Sequence, residues 1–449
     1  MELLSLFLAI LAFAFLVLYI VVWTLALLGT LTIFTRYSKS QRNAEPPLSP
    51  SQFLWGVSIL RPLKGLDPQL EECLESTFLQ NYPQFEIILS VADELDPAAQ
   101  VARTVIAKYP DVPARLIIGK LSRLRWEANV LGAEDIGPNP KINNLVRSYA
   151  SAKYDTLWIV DANTYVPPNA LRHSVEIFLE SSYHPRPIQL IHHLPLCVVS
   201  QPDESVGWGA LLEEIYLSTS HAKFYVSINR FGVAPCVMGK SNLFHKSVLD
   251  RATNSQGLAK FANYIAEDHL IADTLWYQTP NPGPNHAMTR DIARQPVQLE
   301  SLATYIERRI RWIRVRKYMV TSATLLEPFT ECFLAGISGS LTLYTLFGIV
   351  PRRWFVAHVL WWLVLDFAQF YTLHCNSEVD FSPSEKTPEF ARGSRSWNGK
   401  RLGRWFVCWF IREITCFPIW IVAMCGESVI KWRNRKFMVR RDMTVVEIR

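Results

Sequence analysis

Charge is scarce in this chain of 449 residues: Asp, Glu, Lys and Arg together make up 19%, against roughly 25% in an average soluble domain. With so little charge and so much apolar content, intrinsic disorder is excluded, as are collagen-like repeats and a coiled coil. The eight cysteines include no C-x-x-C pair and no zinc or disulfide spacing, so they read as reduced, mostly buried thiols. No N-x-[ST] acceptor occurs, in keeping with polar residues that face the cytosol. What is present is apolar: 49% hydrophobic residues, 12% aromatics and 15 Trp. The net charge of +6 is local, gathered at Arg308, Arg309, Arg311, Arg314, Arg316 and Lys317 and again after Lys431, which excludes a diffuse nucleic-acid-binding face.

Uncharged sequence runs from Leu3 to Thr35, long enough to cross a hydrocarbon core of about 30 Å. The run far exceeds a signal-peptide core, and no small-residue cleavage site follows it, so residues 1–35 read as a retained anchor. Arg36, Lys39 and Arg42 come next, which directs the following residues to the cytosol and the N-terminus to a lumen. Residues 36–50 form a linker. Residues 51–320 show short β-branched runs alternating with amphipathic stretches, the pattern of an α/β domain with a mostly parallel sheet. Strands are expected at Gly56–Leu60, Phe85–Val91, Leu116–Ile118, Thr156–Val160 and Ile188–Ile191, and helices near Leu70–Leu79, Ala98–Lys108, Lys141–Ala152 and Ala170–Leu179. Residues 321–430 carry three further apolar segments, about Leu325–Val350, Trp354–Tyr371 and Trp405–Met424, before a basic cytosolic tail at 431–449. Four full crossings would send that tail to the lumen, against its charge. One segment therefore stops short of crossing, and the first expectation falls on the last, which contains Arg412 and Glu413 and reads as interfacial or re-entrant.

Two carboxylates stand at strand ends: Asp93 after FEIILSV and Asp161 directly after TLWIV. Ligands of open α/β sheets bind beyond the carboxyl ends of the strands, so the pair marks one polar crevice, although a strand-end Asp also caps turns. Arg61-Pro62-Leu63-Lys64-Gly65 follows the first strand and offers a cation and a close backbone approach to phosphate. Lys141-Ile142-Asn143-Asn144 opens a helix, where free N–H groups favour anions, or forms an ordinary solvated helix start. Glu267-Asp268 sets two acids side by side, one of them a candidate general base or both a solvated pair. Arg308-x-x-Arg311-Trp312 presents cations at i,i+3 with an aromatic beside them, or supplies the positive charge that flanks membrane helices.

In order, strand-Asp93, strand-Asp161, Glu267-Asp268 and R308-x-x-R311-W312 resemble the D, D, D, (Q/R)xxRW series of lipid-linked and processive glycosyltransferases with the GT-A fold. The chain is more closely similar to the ceramide glucosyltransferase family, through RPLKGLDP at 61–68, NPKINNL at 139–145, AKYD at 152–155, TSH at 219–221, YIAED at 264–268 and EPFTECF at 327–333. The resemblance implies a GT-A-like nucleotide-sugar-binding domain with N-terminal and C-terminal transmembrane helices in a Golgi or ER membrane, its catalytic domain facing the cytosol. It implies transfer of glucose from UDP-glucose to the primary hydroxyl of ceramide, with inversion and a divalent metal, Mg or Mn. Asp93 would bind the uridine part and Asp161 the diphosphate through the metal; Lys64 and Glu267 would also contact substrate. Asp268 would be the base, His221 a further active-site residue, and Arg308, Arg311 and Trp312 would hold the departing diphosphate and the acceptor end.

Two features depart from that pattern. Asp161-Ala162-Asn163 lacks a second acid, which weakens the metal set, and the loops Leu121–Ile136 and Cys375–Arg404 are longer than expected. Alternatives within the same motifs are a polyprenyl-phosphate sugar transferase or a polysaccharide synthase; a non-catalytic membrane scaffold is the alternative from another class. The intact Asp268 and R-x-x-R-W argue against the scaffold.

Overall fold

The computed structural model describes residues 2–38, 55–119, 136–200, 206–298, 300–375, 387–392, 399–432 and 435–448. Most of the linker, of the loop 121–136 and of the loop 375–404 lies outside the described residues.

A seven-stranded sheet carries the middle of the chain: β1 (Val57–Leu63), β2 (Phe85–Val91), β3 (Ala114–Ile118), β4 (Thr156–Val160), β5 (Leu190–Val199), β6 (Ser241–His245) and β7 (His286–Val297). Its order is β3-β2-β1-β4-β6-β5-β7, and every pairing is parallel except those of β6 with β4 and β5. The mostly parallel sheet expected from the sequence is therefore present. Central strands such as β4 (TLWIV) read as near-continuous apolar runs because both faces of the sheet are covered. Ile59, Ile87, Leu89 and Trp158 pack with helices Leu70–Phe78, Pro97–Lys108 and Ala170–Ser181. The alternate residues Leu60, Ile88, Leu157 and Ile159 pack with Pro140–Ser151 and Glu267–Tyr277.

Polar residues misplace several boundaries in the sequence reading. β1 runs on through Arg61 because the buried guanidinium donates to the carbonyls of Cys73, Asp161, Ala162 and Thr164. β5 runs on through His192 and His193, whose Nδ1 atoms meet Tyr225 Oη at 2.6 Å and Ser241 Oγ at 2.8 Å. A buried polar group satisfied in this way no longer ends a strand. β6 and β7 were not foreseen; in the polar β7, Asp291 is held by His173 at 3.0 Å.

Connection order places the site. β1 leads to β2 on one side, while β4 lies on its other side, so the crevice at the carboxyl ends of β1 and β4 is the switch point of the sheet.

Outside the sheet, helix Glu2–Tyr37 ends against it: Arg36 donates to Met288 O and Tyr37 to Thr289 O. Helices Pro351–Cys375 and Gly399–Cys425, with residues 6–37 of the first helix, are each long and apolar enough to cross a membrane. Cys332–Phe347 has 16 residues, about 24 Å at 1.5 Å per residue. Residues expected as a tail are folded: β8 (Val429–Trp432), β9 (Arg435–Val439) and β10 (Val445–Ile448) form an antiparallel meander. Ile430, Phe437, Val439 and Val445 bury a small core with Ile265, Val315 and Tyr318.

Candidate active site

Asn139 begins the local construction. Its side chain accepts from the N–H groups of Lys141 and Ile142, with Pro140 in the first turn, so NPK is a helix start built on a side-chain cap. The same amide donates to Glu267 Oε2 at 3.0 Å and to Tyr264 O, which ties NPKINNL to YIAED. This cap turns Lys141 inward. Its Nζ lies 2.8 Å from Asp161 Oδ1, 3.0 Å from Glu267 Oε1 and 3.3 Å from Gly239 O. Lys141 is thus the hub of the site, where the sequence alone left it between an anion-binding and a solvated helix start.

Asp161 meets a second cation, Lys240 Nζ, at 3.1 Å, and that ammonium also lies 3.2 Å from Asn163 Oδ1. Burial pushes the Asp161 carboxyl up, but Lys141 and Lys240 overrule it and hold the group at about 2. Behind it, Arg61 grips the carbonyls of Asp161, Ala162 and Thr164. Arg61 is therefore the frame of the Asp161 loop; burial lowers its own pKa to about 10.

Asp268 and Glu267 occupy the first turn of Glu267–Tyr277, where the helix dipole favours anions. Burial raises both carboxyls, against the lowering effect of Lys141. Backbone N–H groups of His269 and Gly239 also favour the charged form of Asp268. Gly239 is close by necessity: a Cβ there would stand 2.9 Å from Asp268 Oδ2.

The structure thus brings Asp161, Glu267 and Asp268 together around Lys141. Asp93 and Lys64 flank them on neighbouring strand ends. Asp93 Oδ1 accepts from Leu95 N–H at 3.1 Å. Lys64 is exposed and precedes Gly65, whose φ of +67° is in the left-handed region and whose N–H donates to Asp96.

His221 begins a helix, Ser220–Phe231, just after the bend at Thr219. Its ring stacks on Tyr225 at 5.1 Å and tilts against Tyr216 at 5.9 Å. Burial, then Arg309 and Arg316, lower its pKa to about 3, so the imidazole is neutral at physiological pH. Its buried Nδ1 has no hydrogen-bond partner among the described residues. Tyr225 Oη accepts from Met238 N–H beside Gly239, which links His221 to the loop that touches Asp268.

Helix Leu302–Arg316 carries R-x-x-R-W. Trp312 tilts against Tyr216 at 6.3 Å, and so shares a neighbour with His221. Arg308 is engaged by Glu300 at 2.6 Å and Glu213 at 3.5 Å, while Arg311 is partly exposed. Arg309 lies over the Tyr216 ring and pairs with Glu327, which also pairs with Arg316. Glu327 opens EPFTECF, so that segment clamps the arginine helix. Lys240 escaped the sequence reading; its one signal is a lysine directly before the strand antiparallel to β4.

Comparison with known proteins identifies the family. Residues 21–445 match the model of Glycosyl transferase family 21. The chain is 39% identical to a ceramide glucosyltransferase of Komagataella phaffii, over 98% of this chain and 92% of that one. It is 32% identical to a ceramide glucosyltransferase of Candida albicans, over 100% of this chain and 99% of that one. Among solved structures, a mannosyltransferase from Pyrobaculum calidifontis in complex with GDP-Man and Mn²⁺ is similar at a TM-score of 0.43 and 14% identity, covering 80% of this chain and 98% of that chain. The family match spans the strand-end acids, the Glu267-Asp268 pair and the arginine helix together, and the chain belongs to glycosyl transferase family 21.

Proposed function

We propose that this enzyme transfers glucose from UDP-glucose to the primary hydroxyl of ceramide with inversion, at a Golgi or ER membrane and on its cytosolic face. The observation that supports this reading most is the convergence of Asp161, Glu267 and Asp268 on Lys141 at the switch point of the sheet.

Asp268 is the base. Its burial-raised carboxyl sits nearer the working pH than a free carboxylate, which suits proton transfer. It takes the proton of the ceramide hydroxyl as that oxygen bonds to the anomeric carbon and the bond from that carbon to UDP breaks. Negative charge grows on the diphosphate in this step and meets Lys141 and Lys240. Asp93 takes the uridine part and Lys64 reaches for phosphate. Arg308, Arg311 and Trp312 close the diphosphate and acceptor end, with Arg308 braced by Glu300 and Glu213. Neutral His221 offers its buried Nδ1 as an acceptor for a hydroxyl or amide N–H of the lipid.

A divalent cation fits the donor set: the Asp161 carboxylate and Asn163 amide oxygen already bracket one cation, the Lys240 ammonium. Mg²⁺ or Mn²⁺ needs only one or two such protein ligands beside phosphate oxygens. When bound there it would add charge stabilisation of the leaving diphosphate.

Membranes holding the protein, supplied with UDP-glucose and a short-chain ceramide, are expected to form hexosylceramide. Asp268→Asn should keep UDP-glucose binding and lose about 10²–10⁴-fold in turnover. Unchanged turnover in this variant would remove Asp268 from the role of base. Binding of UDP-glucose without product in the wild type would point instead to a polyprenyl-phosphate acceptor.

A further inference from the structure

Helix Gly399–Cys425 is long and apolar enough to cross a membrane, yet its surroundings give it a different place. We propose that it lies flat in the cytosolic interface, with its outer stripe in the acyl chains and the catalytic domain on its back, and does not cross the bilayer.

Both sides of the helix are tied to the same globular domain. Before it, residues 387–392 dock on the sheet domain, with Phe390 5.7 Å from Tyr165. At its last turn Arg314 of the arginine helix donates to Val422 O at 3.3 Å, and after it the same arginine donates to Val429 O at 2.6 Å, while Val445 N–H in β10 donates to Asn263 O at 2.9 Å. A helix that crossed would deliver β8–β10 to the opposite side of the membrane from the domain they pack on. Intermediate points agree. Arg404 lies over the Trp208 ring, Arg412 donates to Thr219 Oγ1, and Trp420 donates to Thr324 O. The helix therefore travels along the underside of the catalytic domain.

Its relation to Pro351–Cys375 is that of a crossing. The ring contacts and hydrogen bonds described between the two fall on Asp366, Phe367 and Phe370 of one helix, about one turn, and on Trp405, Phe406, Trp409 and Arg412 of the other, about two. Two parallel spans would meet at every turn.

The two faces of the helix divide accordingly. Phe406, Phe410, Ile414, Phe417 and Ile421 recur at four, four, three and four residues and are 40, 52, 50, 38 and 41% exposed, one continuous helical stripe. Arg412 lies on the opposite side and Glu413 beside the stripe against protein, and they are 1 and 2% exposed. Arg412 pairs with Asp366 at 3.0 Å, while Glu413 accepts from Cys332 N–H at 2.9 Å. The charged pair that made this segment suspect as a span faces protein, and the apolar stripe has lipid as its occupant, continuous with the exposed Leu341, Tyr344, Leu360 and Val364 of the neighbouring helices.

Segment 332–375 leaves the catalytic domain near Glu327 and returns at His374, which meets Ser218 Oγ at 2.7 Å. It adds no net crossing. With one N-terminal crossing and none at 399–425, the two ends of the chain lie on opposite sides of the membrane, in accord with a lumenal N-terminus and a cytosolic basic tail.

This reading is independent of the transfer reaction and is tested by sidedness. A flexible spacer with an Asn-x-Thr acceptor is appended to either end of the full-length chain, and glycosylation and protease accessibility are scored in sealed ER-derived vesicles. One end modified and the other digestible supports the proposal; both ends on the same side overturn it. A nitroxide side chain placed in turn at positions 406, 410, 414, 417 and 421 in reconstituted bilayers gives the second measurement. A uniform shallow depth is expected, and a steady passage through the bilayer centre would overturn it.

Discussion

Replacing Lys141 with Met takes out of a buried cluster the cation that Asp161 and Glu267 share among the described residues. Breaking a buried pair by removing one partner costs roughly 3–5 kcal/mol. Asp161 keeps 22% and Lys141 16% of their side chains exposed, so water screens part of this and about 2–4 kcal/mol is the expected loss of stability. The electrostatic consequence is separable from the stability one. Lys141 opposes the burial that raises Asp268, and a nearby opposite charge lowers a carboxyl by about 1–3 pH units. Without it, Asp268 must climb further. With Asp268 as the proposed base, active only when ionised, the acid limb of kcat/KM for hexosylceramide formation should move up in pH. Lys141→Arg keeps the charge and should leave the limb near its wild-type position. The assay is a pH profile of all three forms in the same membranes, with thermal unfolding alongside. A Lys141→Met limb that coincides with wild type, in a protein that still binds UDP-glucose, would refute the claim that Lys141 sets the charge of Asp268.

Gly239→Ala places a methyl 2.9 Å from Asp268 Oδ2; a displacement of about 1 Å in a catalytic group costs on the order of 10²-fold, so turnover should fall that far with UDP-glucose affinity retained, as measured by product formation and ligand binding. Val445→Pro removes the N–H that donates to Asn263 O, and should lower kcat more than it raises the KM for UDP-glucose, because the strand supports the base-bearing segment. Acid should weaken the fold through Asp161: its folded pKa of about 2 lies below the ordinary value of roughly 3.9. Its stabilisation is present above about pH 4 and is lost as pH falls toward 2, visible as a declining Tm over that window; Asp161→Asn should flatten the decline.

Parallel strands covered on both faces were legible from the sequence, because Phe85–Val91 and Thr156–Val160 are mostly apolar, β-branched runs bounded by turns. The site was legible as four separate motifs. What the sequence hid was satisfaction at a distance. Arg61 reads only as part of a loop near a nucleotide until its guanidinium is seen bound to carbonyls from residues 73, 161, 162 and 164. Lys141 looks like a solvated helix start until the Asn139 cap turns it inward. Arg308 has the spacing of a substrate clamp, yet Glu300 and Glu213 already engage it. Periodicity reports which way a residue faces on its own element and is blind to partners brought by the tertiary fold, which is also why the polar strand β7 and the folded segment after Lys431 escaped notice.

The C-terminal meander gives the enzyme an order of assembly. Asn263–Asp268 is made early and β10 long after it, yet Val445 and its neighbours complete the packing around Ile265. Domains fold as they emerge from the ribosome, and here the seven-stranded sheet and the long apolar helices among the described residues precede the strand that braces the segment before Asp268. A nascent chain still holding β10 in the exit tunnel has its anchor helix and its sheet already made, but lacks the packing around Ile265 that supports the segment carrying Asp268.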